Sequence, residues 1–273
     1  MEICGSSGQG ERWLSRALCR RYAAVVFSML AAPVPTNQPA KDRTICWAFG
    51  CLVKGESEIL GAWDLDACPA TTDEVFADLN RRGVEFLRCG LGSPGGTEAA
   101  FLATFRMAAL YPSIEQTLAD FLDKVRPFHR PAMARLLRAT IDDPLAEPAT
   151  VASLRFSSED LRQKYPGILE QWSESASGFQ PLFSLPEPYR QLARSVDRDA
   201  IAMQEHLMKA IHRHGPFDDS TQAFGFVVDW LMRADLRLMQ AARAPGLVRV
   251  PWVSQSGRVA QVSGGAAGTP ALA

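Results

Sequence analysis

The stretch from Phe86 to Gly96, FLRCGLGSPGG, places one thiol and four glycines where an apolar strand would end. Glycines in such a loop can let the backbone approach a phosphate, or they can simply turn the chain. No Gly-Lys-Ser/Thr follows, so this is not a P-loop, and a dinucleotide fingerprint lacks its usual context. A strand-to-helix turn is the plainer reading of residues 90–96. The six cysteines, Cys4, Cys19, Cys46, Cys51, Cys68 and Cys89, contain no C-x-x-C pair and no histidine cluster accompanies them. That pattern argues against a zinc site and for reduced thiols in a cytoplasmic protein. The histidines form no H-x-x-x-H pair and no Ser/His/Asp chain order. Two basic stretches remain. Lys124, Arg126, His129, Arg130, Arg135 and Arg138 form one, and Lys209, His212, Arg213 and His214 form the other. Both suit phosphate contacts. Exposed charge, and cations at a helix C-terminus, are the plainer explanation at this point.

The elements that must position these residues read as follows. Residues 1–12 are rich in Gly and Ser and read as disordered, and 13–21 as a short basic leader. Residues 23–30 form an apolar, β-branched run and read as a buried strand. A signal peptide is the alternative, since Arg20 and Arg21 precede it and small residues follow; the run is too short to span a bilayer. Three prolines make 32–44 a loop. Residues 45–53 and 57–63 flank the Lys54-Gly55 turn as a hairpin. Residues 72–82 spell a helix that Gly83 stops, and 84–89 a fourth strand. A helix is expected over 97–110. Further helical spacing covers 115–125, 131–140, 151–164, 167–177 and 188–214. A last helix, capped by Asp218 or Asp219, runs to about 243. The tail from 246 to 273 reads as disordered.

With 273 residues, 47% apolar and 22% charged, the chain can build a large core without staples. A net charge of −1 excludes a global basic field, so any nucleic-acid contact must be local. Strands that lead into helices make an α/β layered domain, whose ligands sit at strand ends.

This order and its local spelling resemble the catalytic half of the Mutator-type insertion-sequence transposases. The resemblance is carried by W-x-x-R-x-L-x-x-x-Y at 13–22 and by G-x-x-x-x-G-x-x-E-I-L-G-A-W at 50–63. DLNRRGV at 78–84, LYPSIE at 110–115 and KYPGILEQW at 164–172 continue it. LFSLPEPYRQ at 182–191 and HGPFDDSTQA at 214–223 complete it. The resemblance implies a ribonuclease-H-like mixed sheet over about 22–245, with a helical insertion at about 113–186. The family's N-terminal DNA-binding region has no counterpart here, so a truncated chain is expected. The implied activity is magnesium-dependent cleavage and strand transfer of element DNA. The implied partners are element ends, a second copy, or an active transposase; no membrane is implied. The basic stretches would supply DNA contacts, chiefly Lys124, Arg126, Arg130, Lys209 and Arg213.

Such chemistry needs three acids around two hard cations. The three matching positions are Ser28, Gly92 (Leu91 if one gap is placed differently) and Ile201. None is an acid. Asp197 and Glu205 lie four residues either side of Ile201, each displaced by one turn, roughly 6 Å, on what reads as a solvated helix face. Asp64 and Asp66 stand on no matching position. The expectation is therefore a transposase-like chain without a metal site and without cutting activity. A non-catalytic regulator and a decayed reading frame are the alternatives.

Overall fold

The computed structural model describes residues 7–34, 42–66, 72–92, 98–142 and 159–243. Its frame is a five-stranded mixed sheet built from β1 (Arg21–Ala32), β2 (Arg43–Leu52), β3 (Ser57–Asp64), β4 (Phe86–Leu91) and β5 (Ala109–Tyr111). The spatial order is β3-β2-β1-β4-β5. The first three strands form an antiparallel meander; β4 and β5 join it in parallel with β1. This mixed α/β architecture is consistent with the ribonuclease-H-like expectation.

Side-chain alternation along β1 divides the core. Val25 and Phe27 face one layer, where α2 (Thr72–Arg81) and α3 (Glu98–Thr104) bring Val75, Phe76, Leu79 and Phe101. Phe27, Phe76 and Phe101 meet edge to face in that layer. Ala24, Val26 and Leu30 face the other, larger layer. It is covered by α9 (Glu187–His214) and α10 (Ser220–Arg243). The period of two in the strand and the wide apolar stripe of each helix produce this sandwich. The segment 23–30 is thus the central strand, buried on both faces, as its β-branched composition predicts; the signal-peptide alternative falls with it.

Two terminators behave as the sequence predicts. Gly83 ends α2 at φ +109°, a conformation that disfavours any side chain, and its amide donates to Asn80 O. At the start of α10, Asp219 is the cap: its Oδ1 accepts from Gln222 N at 2.7 Å.

Two expectations are corrected. Residues 7–15 form a helix, α1 (Ser7–Ser15), within the region expected to be disordered. Trp13 is the reason. It is buried against the larger core, and its indole N–H donates to Asp235 at 2.9 Å. The helix expected over 97–110 stops at Thr104, and the chain turns through Phe105–Ala108 into β5. Three residues are too few for alternation to declare a strand. The register Cys89↔Ala109 to Leu91↔Tyr111 is set by pairing with β4.

Between β5 and α9 the described residues are helical. They comprise α4 (Ile114–Asp123), a 3-10 turn (Pro127–His129), α5 (Arg130–Asp142), α6 (Glu159–Lys164), α7 (Pro166–Ser177) and α8 (Gln180–Phe183). Trp172 is fully buried there and packs on Phe121 and Phe179. The helix expected from residue 151 is described only over 159–164. The tail 246–273 and glycine-loop residues 93–96 lie outside the described residues. No helix among those described is long and apolar enough to cross a membrane.

Candidate functional site

Of the three positions singled out by sequence, Ile201 is on α9, and Ser28 and Gly92 lie just past the paired residues of β1 and β4. These neighbours are parallel, with Val26 opposite Leu91. Ser28 lies two residues beyond Val26 on the face toward α9 and is buried. Gly92 follows β4 directly, and its amide donates to Tyr111 O at 2.9 Å.

Helix α9 lies over both strand ends, and two of its polar residues fix its placement. Asp197 accepts from the Ser113 hydroxyl at 2.5 Å and from Glu115 N at 3.0 Å, beyond the end of β5. Gln204 donates from Nε2 to Met29 O at 2.7 Å, and its Oε1 accepts from the Trp47 indole N–H at 2.5 Å. It therefore sits over β1 and β2. Ile201 lies between them, four residues after Asp197 and three before Gln204, on the same helical face. The residues on either side of Ile201 along that face thus hold this part of α9 against β1 and the start of α4.

The side chains there do not suit a metal. Gly92 has φ +84°, and a Cβ added to it would lie 2.3 Å from the Phe27 carbonyl oxygen. Backbone occupies the space, so no side chain fits without moving β1. Leu91, the other candidate, is fully buried in the larger core. Ile201 is half-buried and apolar. On the β1–β2 side, Gln204 and Trp47 satisfy one another and Met29 O as a neutral network. Among the described residues, no group of three His, Cys, Asp or Glu is placed to hold a metal ion. The residues present do not fit the two cations that such a fold implies.

Asp197 corrects the picture of a solvated acid face. It is 1% exposed and serves as an anion at the start of α4. Ser113 is that helix's N-cap, and its oxygen accepts from Gln116 N at 3.0 Å while its hydroxyl donates to Asp197. Burial pushes the Asp197 carboxyl up to about 6, against the downward pull of Ser113 and the Glu115 amide. Its role here is to dock α4 on α9. Glu205 does lie in solvent, 3.7 Å from Lys209 Nζ. Asp64 pairs with Arg43 at 2.9 Å, and Asp66 accepts from Thr44 N at 2.7 Å, so both close the outer end of the β2–β3 hairpin. Cys89 is buried behind the site, its thiol 3.4 Å from Ala23 O and pushed up to about 12 by burial. It is packing, not a nucleophile.

The matching family model is that of the Mutator-family transposases, over residues 8–225. The chain belongs to the Mutator transposase family. No curated protein matches it. The match to this transposase family starts inside α1 and ends inside α10, so it spans the whole described sheet and the helical segment between β5 and α9.

Most basic residues of this family member are exposed, Arg130 and His129 being half-buried, and they differ in how committed they are. Lys209 faces Glu205, and Arg213 Nε donates back to Lys209 O at 3.2 Å. His214 stacks on Phe217. In the other stretch, Arg138 pairs with Glu115 at 2.6 Å and Arg130 with Asp123 at 3.4 Å. Lys124 lies over the Phe121 ring and reaches Gln171 at 3.4 Å. Arg126 uses its backbone amide on the Tyr165 hydroxyl at 3.3 Å and leaves its side chain at the surface.

Sequence reasoning missed Gln204, Ser113 and Asp235. A polar residue at the i+3 position from Ile201 was a signal for Gln204. Ser113 opens the S-x-x-Q spacing of a helix capping box, a signal that was there to be read; nothing in the spacing of Asp235 distinguishes it from a surface polar residue.

Proposed function

We propose that this chain is a Mutator-family transposase relative that no longer cuts or joins DNA and acts through binding. The observation that carries the proposal is at Gly92. An acid there needs a Cβ pressed against the Phe27 carbonyl oxygen and a backbone conformation that L side chains rarely adopt. Ser28 and Ile201 deprive the other two positions of charge. Two-metal chemistry depends on carboxylates that screen the cations from one another and fix their separation. A serine, a glycine and an isoleucine supply neither.

What supports a retained binding role is the state of the rest of the molecule. Both core layers are filled, and Arg82 Nη2 is the single buried side-chain polar atom without a hydrogen-bond partner among the described residues. A reading frame in decay would accumulate cavities and orphaned polar groups in proportion. The partner chemistry that the exposed cations suit is the phosphodiester backbone of element-end DNA, bound alone or in competition with an active transposase.

The test is incubation of the purified chain with a labelled element-end duplex and magnesium, followed by denaturing electrophoresis. Uncut DNA is expected, together with salt-sensitive retention of the duplex in a gel-shift assay. Magnesium-dependent nicks that persist through repurification would overturn the inactive reading. Absence of any DNA retention would overturn the binding role.

A further inference from the structure

Phe128 is the most exposed large apolar side chain described, at 90% of its full accessibility. A lone exposed hydrophobe is ordinary. This one differs in its backbone and its surroundings. It sits at the middle of the 3-10 turn Pro127–His129, where Pro127 fixes the first φ and His129 N donates to Arg126 O at 2.8 Å. Behind the turn, the Tyr165 hydroxyl accepts from Arg126 N and meets His129 Nδ1 at 2.9 Å. Arg130 Nε ties the turn to Val125 O at 3.0 Å. The ring is thus presented outward by a backbone held on three sides.

Its surroundings are cationic. Residues 124–138, KVRPFHRPAMARLLR, contain Lys124, Arg126, Arg130, Arg135 and Arg138 and no acid, in a chain whose net charge is −1. Arg126 and Arg135 have exposed side chains with no ion pair among the described residues. An apolar protein partner would ask for more than one exposed hydrophobe. A polyanion with flat apolar faces matches both the charge and the ring.

We infer that Phe128 is a stacking platform for an unpaired base of single-stranded DNA, with Lys124, Arg126 and Arg130 taking the neighbouring phosphates. This rests on the DNA-binding role proposed above and adds to it a strand state and a contact residue. Stacking requires an accessible base face, which a duplex interior does not offer. The turn follows α4, a ten-residue helix that starts just past the end of β5, so it stands about 15 Å along that helix from the strand ends. A base held there lies away from the strand end that Gly92 follows.

The experiment uses the full chain with a fluorescent mixed-sequence single-stranded oligonucleotide and its blunt duplex, titrated by anisotropy at two salt concentrations. Phe128→Ala is expected to weaken single-strand binding about 5- to 100-fold and leave duplex binding unchanged, the range for loss of one base–aromatic stack. Phe128→Trp is expected to retain it. The exposed position makes a folding defect unexpected, and matched thermal melts of the variants check this. Equal loss on single strand and duplex, or no loss on either, overturns the stacking assignment and leaves the DNA-binding role standing. Failure of the unsubstituted chain to bind either nucleic acid overturns both.

Discussion

Gly92 and Asp197 show how single positions decide what this transposase relative can do. At Gly92 the obstacle is steric as well as chemical, so restoring a carboxylate restores no site. Gly92→Ala is expected to lower unfolding free energy by about 2 kcal/mol or more, from strain at positive φ together with displacement of the Phe27 carbonyl. Urea denaturation reads this directly; a loss under about half a kcal/mol would mean that β1 yields easily. Asp197 has a different signature. Its folded carboxyl titrates near 6 because of burial, above the ordinary 3.8. The folded chain therefore keeps a proton over a window where the unfolded chain has lost it. Its contribution to stability grows as pH falls from about 6 to about 4, by on the order of 2–3 kcal/mol, and is lost as pH rises through that window. Asp197→Asn should remove this dependence. The stability difference between parent and variant, measured in urea at about pH 7 and about pH 4.5, should shift toward the parent at the lower pH. A constant difference would show that Asp197 stays ionised throughout.

The elements depend on contacts that local sequence does not announce. Helix α1 is held by Asp235 of α10, which is 1% exposed. One carboxylate accepts from Trp13 Nε1 at 2.9 Å, from Arg16 at 3.1 Å and from Ile59 N of β3 at 2.9 Å. Ile59 stands just before the irregularity in β3, at Leu60 opposite Ala48 and Phe49, where the ladder register shifts. Asp235 accepts the Ile59 amide there and anchors both helices to the sheet edge. Asp235→Ala strands these donors and is expected to cost about 3 kcal/mol, the scale for breaking one side of a buried charge contact. Amide hydrogen exchange should accelerate in α1 and β3 first; uniform acceleration across the sheet would argue against a local anchor. The elements that sequence reading found, β1 to β4 and the long helices α9 and α10, carry their own period, caps and breakers. Helix α1 and β5 were not legible. A nine-residue helix with two glycines has little propensity, and a three-residue strand has no pattern, so tertiary partners alone define them.

For the whole molecule, a net charge of −1 means that the proposed DNA binding would have to come from the local basic segment rather than a general field. Replacing Lys124, Arg126 and Arg130 together with Gln should reduce the slope of log affinity against log salt on duplex DNA by about 2 to 3, since each phosphate no longer neutralised removes about 0.9. An unchanged slope would move the binding surface elsewhere, with Lys209 and Arg213 next to examine. By itself the sequence determined the family, the order of the long elements and the absence of acids at 28, 92 and 201, because these follow from residue identity and short-range period. Only the tertiary structure decided that Phe27 O fills the space of a side chain at 92, and that Asp197 is a buried docking group rather than a solvated acid. Those facts depend on which backbone lies against which across long stretches of chain. Hydrophobic period can orient a helix face toward a core, but it does not say which strand end waits beneath it.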